Sequence, residues 1–260
     1  MDFWSKMKNS RFSVPFFSAL FLCALGAAAH LHEVRQTAGV AEKVTIVVDC
    51  GHGGIDPGKV GVNGAYEKDV NLSIGMLLKE ALEKEKCRVI MTRETDTGLY
   101  QESDTNKKTA DLKKRVEIMN QEDVDLIISV HQNSFSGENS RGAQVFYHSG
   151  SESGEAFARL LQAQLISSLD TSNHREAKGN TDYYILKNTE KTAVIVECGF
   201  LSNQEEAKKL CDEAYQRQVA WAIAQGTMQY IDTLSEETSY RTGGSYENSC
   251  KENKSGAFSG

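Results

Sequence analysis

Residues 44–49 (VTIVVD), 125–131 (DLIISVH) and 192–200 (TAVIVECGF) are short, continuous apolar runs, the pattern of strands buried on both faces. Between them the spacing changes. Val70, Ile74, Leu77, Leu78, Ala81 and Leu82 recur at helical intervals from Glu67 onward. CRVIMTR (87–93), AQVFYHS (143–149) and DYYILK (182–187) add further strand-like runs. Amphipathic stretches around 109–121 and 153–168, then 203–210 and 212–233, complete the alternation. Strands alternating with helices predict an α/β fold: one domain with a mostly parallel twisted sheet of about six strands, flanked by helices.

The two ends differ from this middle. Lys6, Lys8 and Arg11 precede an almost uncharged run from Phe12 to Ala29, ending in Ala27-Ala28-Ala29. A positive start, an apolar middle and small residues at the end form an export signal, and the run also approaches the length of a membrane anchor. Residues 1–33 are therefore read as a signal peptide or N-terminal membrane anchor, which places the protein outside the cytoplasm, secreted or membrane-anchored. Residues 34–234 are read as one folded domain, and 235–260, polar with Gly243-Gly244 and no periodic apolar face, as a disordered tail. A net charge of −7 excludes a broad polyanion-binding surface, so no nucleic-acid partner is expected. Six cysteines without paired spacing form neither a zinc ribbon nor a disulfide scaffold, although Cys50 and Cys198 each close a strand-like run and could lie near one another.

Chemistry-bearing residues sit where strands end. Asp49 closes the first run and His52 follows it; His131 closes the central run; Glu197 lies within the last. Glu67 opens the helix after the first strand, so it starts at the same edge. Functional groups of parallel α/β sheets gather at that carboxyl edge, and these four should converge. Two imidazoles and a carboxylate are a known catalytic zinc set that leaves a fourth position for water. A second carboxylate can take the water's proton and give it to a leaving amine. His52, Glu67 and His131 are assigned to the metal and Glu197 to proton transfer, with exchange of the two glutamates the alternative. Singly, each has a plainer explanation: a loop histidine, a helix-stabilising acid, a hydrogen-bonded strand-end histidine. Glu197 resists one, because burying a carboxylate beside Val194, Ile195 and Val196 costs several kcal/mol unless it is paired or used. Asp49 and Asn133 are candidates for orienting the ligands, or for turns. The glycines of CGHGGIDPG lack a following Gly-Lys-Ser/Thr, which excludes a nucleotide P-loop.

VVDCGHGGIDPG, YEKDVNL, ISVHQNS and VIVECGFLSN, in this order, closely resemble the zinc-dependent N-acetylmuramoyl-L-alanine amidases, with MTRETDTGL and LKKRVEIMN falling between them. The resemblance runs from about Val44 to about Ile231. It implies one zinc ion at His52, Glu67 and His131, Glu197 as catalytic acid/base, and peptidoglycan as substrate. The charged loop between Thr95 and Leu112, GAQVFYHSGSESGE, and the lack of wall-binding repeats are most similar to the spore-cortex, germination-specific branch. That likeness implies a part in muramic lactam formation, in the forespore–cortex space. Many relatives carry proline where Cys50 stands. Some periplasmic relatives insert an inhibitory helix after the strand matching 143–149; here a helical pattern starts near Glu152, so control by expression, location or an accessory protein is expected. Two other readings share these residues: a zinc peptidase acting within the stem peptide, and an inert wall-binding or regulatory protein.

Overall fold

Strand β1 (Thr45–Cys50) is buried along its whole length, as a strand covered by helices on both faces must be. The structure, a computed structural model, describes residues 43–137 and 139–252, with side chains through Glu236. The expected signal or anchor (1–33) and the end of the tail lie outside the described residues. Among those described, no helix is long and apolar enough to cross a membrane.

The remaining elements follow in alternation: α1 (Glu67–Lys84), β2 (Arg88–Met91), α2 (Lys107–Met119), β3 (Leu126–Asn133), β4 (Gln144–His148), α3 (Glu152–Leu169), β5 (Lys178–Asn180), α4 (Tyr184–Asn188), β6 (Thr192–Phe200), α5 (Gln204–Leu210) and α6 (Glu213–Glu252). They build one six-stranded sheet in the order β2-β1-β3-β6-β4-β5. Its pairings are parallel except where β4 runs antiparallel to β6.

Side chains alternate across a strand with period two, and this decides which residues share a face. Ile46 and Val48 of β1, Leu126, Ile128 and Val130 of β3, and Val194 and Val196 of β6 enter the larger core cluster, against Ile74 and Leu78 of α1, Leu161 of α3 and Ile223 of α6. Val47, Ile127 and Ile195 enter the smaller cluster on the other face, with Met119 of α2 and Ile185 and Leu186 of α4. Asp49, His131 and Glu197 fall on that second face, two residues on from Val47, from Ser129 and from Ile195. Register places His131 directly opposite Glu197, just before an irregularity in the β3–β6 ladder.

One expectation needs correction. The run 182–187 is not a strand: Asn180 Oδ1 accepts from the amides of Asp182 (2.7 Å) and Tyr183 (2.8 Å), turning the chain directly into α4. The fifth strand is instead Lys178–Asn180, a short polar segment without apolar alternation. The described backbone of α6 runs past Ser235 to Glu252, into the segment read as a tail. No proline follows Pro57, so nothing in that segment forbids helix, although Gly243 and Gly244 weaken it. Cys50 and Cys198 sit on strands either side of β3, roughly 10 Å apart at the usual strand spacing. They are free thiols, as are Cys87 and Cys211.

Candidate metal centre and active site

The ligand atoms of His52, Glu67 and His131 all lie within 4.8 Å of one another. Glu67 Oε1 stands 3.2 Å from His52 Nε2 and 3.0 Å from His131 Nδ1, and the two imidazole rings meet edge to face with centroids 5.1 Å apart. Each residue arrives by a different route. His131 rides on β3 and Glu67 is the first residue of α1, whose N-terminal turn accommodates an acid. His52 comes from the loop after β1 and has a left-handed backbone (φ 62°), uncommon for a residue with a Cβ. Gly51 permits the approach: a Cβ there would lie 2.2 Å from Cε1 of the His131 ring.

A carboxylate between two imidazoles on a cleft floor, at mutual distances one ion can bridge, is a donor set that fits zinc. Burial alone would raise the Glu67 carboxyl. Hydrogen bonds to His131 and His52, and their charge, instead hold it far below the usual carboxylate range. His131 shows the complement: burial opposes its charge, but Glu67 raises it. Two of the remaining ring and carboxylate atoms also have partners. His52 Nδ1 is 3.0 Å from Asp56 Oδ2, and Glu67 Oε2 accepts from the Lys59 amide at 2.8 Å.

Glu197 faces the same cleft, of about 420 Å³, lined also by Lys59, Leu112, Gln132, Asn133, Ser134, Tyr183, Tyr184 and Ile185. Burial pushes its carboxyl up to about 7, opposed by attraction to His131 and aided to a lesser extent by repulsion from Glu67. The Tyr183 hydroxyl donates to Oε1 at 3.5 Å, while Oε2 is buried with no partner. A carboxyl poised near neutrality, with one oxygen uncommitted, suits proton transfer. A second groove of about 430 Å³ lies between α1 and α6, beside Trp221; its acids, Glu80 and Glu85, are exposed and no imidazole lines it. Chemistry, not size, distinguishes the two.

The four expected residues thus meet at one site. Asp49 and Asn133 do not orient an imidazole. Asp49 binds Arg115, Thr92 and Ser129 inside the protein, and the Asn133 side chain accepts from the Ser134 amide. Asp56 takes the orienting position; its spacing of four from His52 in the Gly-rich loop was the available signal. Tyr183 left none, because its segment reads as a strand.

A family model described as N-acetylmuramoyl-L-alanine amidase matches residues 46–229. The germination-specific N-acetylmuramoyl-L-alanine amidase of Bacillus subtilis (strain 168) is 37% identical over 189 residues, 72% of this chain and 79% of that protein. The CwlD amidase from Clostridioides difficile, solved in complex with the GerS lipoprotein, is 39% identical with a TM-score of 0.72, covering 74% of this chain and 100% of that one. An N-acetylmuramoyl-L-alanine amidase from Clostridium difficile 630 is 30% identical with a TM-score of 0.66, covering 74% and 98%. The chain belongs to the N-acetylmuramoyl-L-alanine amidase family and is a peptidoglycan amidase close to the germination-specific one.

Proposed function

We propose that this amidase is zinc-dependent, that His52, Glu67 and His131 hold the ion, and that Glu197 moves the proton in hydrolysis of the bond between N-acetylmuramic acid and L-alanine. One observation carries the reading: Glu197, a buried carboxylate with one oxygen unpartnered, lines the cleft that contains the three-ligand set. When bound, zinc supplies Lewis acidity, polarising an amide carbonyl and acidifying water. The Glu197 carboxylate takes a proton from water as that water adds to the lactyl carbonyl carbon. It returns the proton to the alanine nitrogen as the C–N bond breaks. The products are a muramic acid carboxylate and a stem peptide with a free amino terminus. Tyr183 donates to Oε1 of Glu197 and so orients the carboxylate for this transfer.

The wider setting follows from the same likeness. Similarity to the germination-specific amidase of Bacillus subtilis supports a role in spore cortex maturation, in which stripped muramic acid becomes the lactam. The residue 1–33 pattern supports export. The CwlD relative's complex with a lipoprotein, and the direct passage from β4 to α3 at Glu152, support control by an accessory protein. Incubating the exported chain with cortex peptidoglycan, with and without a zinc chelator, tests the reading. Mass spectrometry should find intact stem peptides with free L-alanine amines, lost on chelation and regained with zinc. Cleavage inside the stem, or activity indifferent to chelation, would overturn it.

A further inference from the structure

The backbone carbonyls of Cys50, Gly51 and His52, three in succession as the chain leaves β1, all accept from buried arginines. Arg93 donates from Nε to Cys50 O (2.9 Å) and from Nη2 to Gly51 O (3.1 Å). Arg115 donates from Nη1 to Cys50 O (2.8 Å) and from Nη2 to His52 O (2.6 Å). Both side chains lie inside the protein, Arg115 at 1% exposure and Arg93 at 4%. Each is itself fixed. Arg115 is anchored by Asp49 (2.6 Å) and Asp111 (2.6 Å), and Arg93 by the carbonyls of Lys68 (2.7 Å) and Thr95 (3.1 Å).

We infer that Arg115, with Arg93, is a positioning residue for the metal site: the two guanidinium groups hold the backbone of residues 50–52 so that His52 keeps its left-handed conformation and aims Nε2 at Glu67. This rests on the zinc reading above. The physical reasoning is direct. A histidine at φ 62° is strained and would relax into an extended or right-handed conformation unless its surroundings forbid it. Relaxation would swing the ring away from Glu67 Oε1, 3.2 Å distant. The carbonyl of the strained residue is the one held at 2.6 Å by a guanidinium that cannot shift, because its other nitrogens are bound to two aspartates. A lysine could keep the charge opposite Asp49, but one ammonium cannot reproduce the fork that reaches Asp49, Asp111 and the loop together. The sequence segment LKKRVEIMN, otherwise only the body of a helix, thereby acquires a task at the active site.

The test measures zinc affinity by competition with a chromophoric chelator, alongside thermal unfolding of the metal-free protein, for wild type, R115K, R93K and T92V. Thr92 donates to Asp49 Oδ1 at 2.8 Å and accepts from Arg115 Nη1 at 3.4 Å in the same buried network, but its side chain makes no hydrogen bond to the 50–52 carbonyls, so T92V perturbs the network, Arg115 included, while leaving the guanidinium–carbonyl bonds in place. The expected result is zinc affinity at least tenfold weaker for R115K and R93K, in the range seen when groups supporting a metal ligand are lost, with T92V within threefold of wild type. Affinity of R115K within threefold of wild type, or an equal loss in T92V, would overturn the inference and leave the zinc reading standing. Should R115K fail to fold, R93K against T92V decides on the same thresholds. A wild-type chain that binds no zinc would refute the metal reading and, with it, this one.

Discussion

Replacing Glu197 by glutamine should slow hydrolysis by orders of magnitude while making the metal-free protein more stable, and the size of both effects can be worked out. Burial pushes the Glu197 carboxyl from 4.5 to about 7. A raised carboxyl pKa means that the folded state binds the proton more tightly than the unfolded one. Its contribution is therefore neutral below about pH 4.5, becomes unfavourable as pH rises, and reaches its full cost above about 7. A shift of this size, at 1.36 kcal/mol per unit, corresponds to about 3 kcal/mol. Glutamine fills the same space without the charge. Any cost of its own buried amide is independent of pH and cancels when only the change with pH is read. The difference in unfolding temperature between E197Q and wild type, measured with chelator present, should grow between pH 4.5 and 8 by about 6–12 °C at roughly 2–4 °C per kcal/mol for a domain of this size. Over the same substitution the cleavage rate should drop by about 10²–10⁴-fold with zinc still bound. A stability difference that stays flat across that pH range would refute the assignment of a buried, charge-averse carboxyl. An active E197Q would refute its role in proton transfer.

Other perturbations probe different parts of the structure. Gly51→Ala drives a Cβ to 2.2 Å from the His131 ring, so zinc affinity in a chelator titration should weaken by tenfold or more while the far-ultraviolet circular dichroism stays native. Tyr183→Phe removes a hydrogen bond that lowers the Glu197 carboxyl, so the acidic limb of the rate profile should move to higher pH; an unmoved or acid-shifted limb would exclude that contact. Ile128→Ala empties a fully buried position at the centre of the sheet and should cost about 2–5 kcal/mol in urea unfolding, without changing zinc stoichiometry.

Much of this protein is legible in one dimension because its signals are local and periodic. Val70, Ile74, Leu78 and Leu82 mark the buried stripe of α1, and the continuous runs of β1, β3 and β6 mark strands covered on both faces. Topology then requires that His52, Glu67, His131 and Glu197, spread over 146 positions from first to last, come to one sheet edge. The nature of the chemistry follows from residue type.

Other features depended on contacts between distant segments. The 182–187 run has strand-like composition, but Asn180 turns it and the smaller core captures Ile185 and Leu186 as a helix; tertiary contacts outweighed local propensity. Asp49 looked like a site residue because it ends β1. Only the fold places Arg115 beneath it, 66 positions away, and thereby makes it an anchor for the loop instead of a partner of the His52 or His131 ring. Which glutamate stands between the imidazoles was likewise open in the sequence. Both are buried at one edge, and the choice follows from α1 beginning within hydrogen-bond reach of His52 and His131. The pattern of residues determined the fold class and the ingredients of the site. Their distances and directions, which separate a ligand from its support, depended on how strands and helices pack in three dimensions, because no local rule relates residues so far apart in the chain.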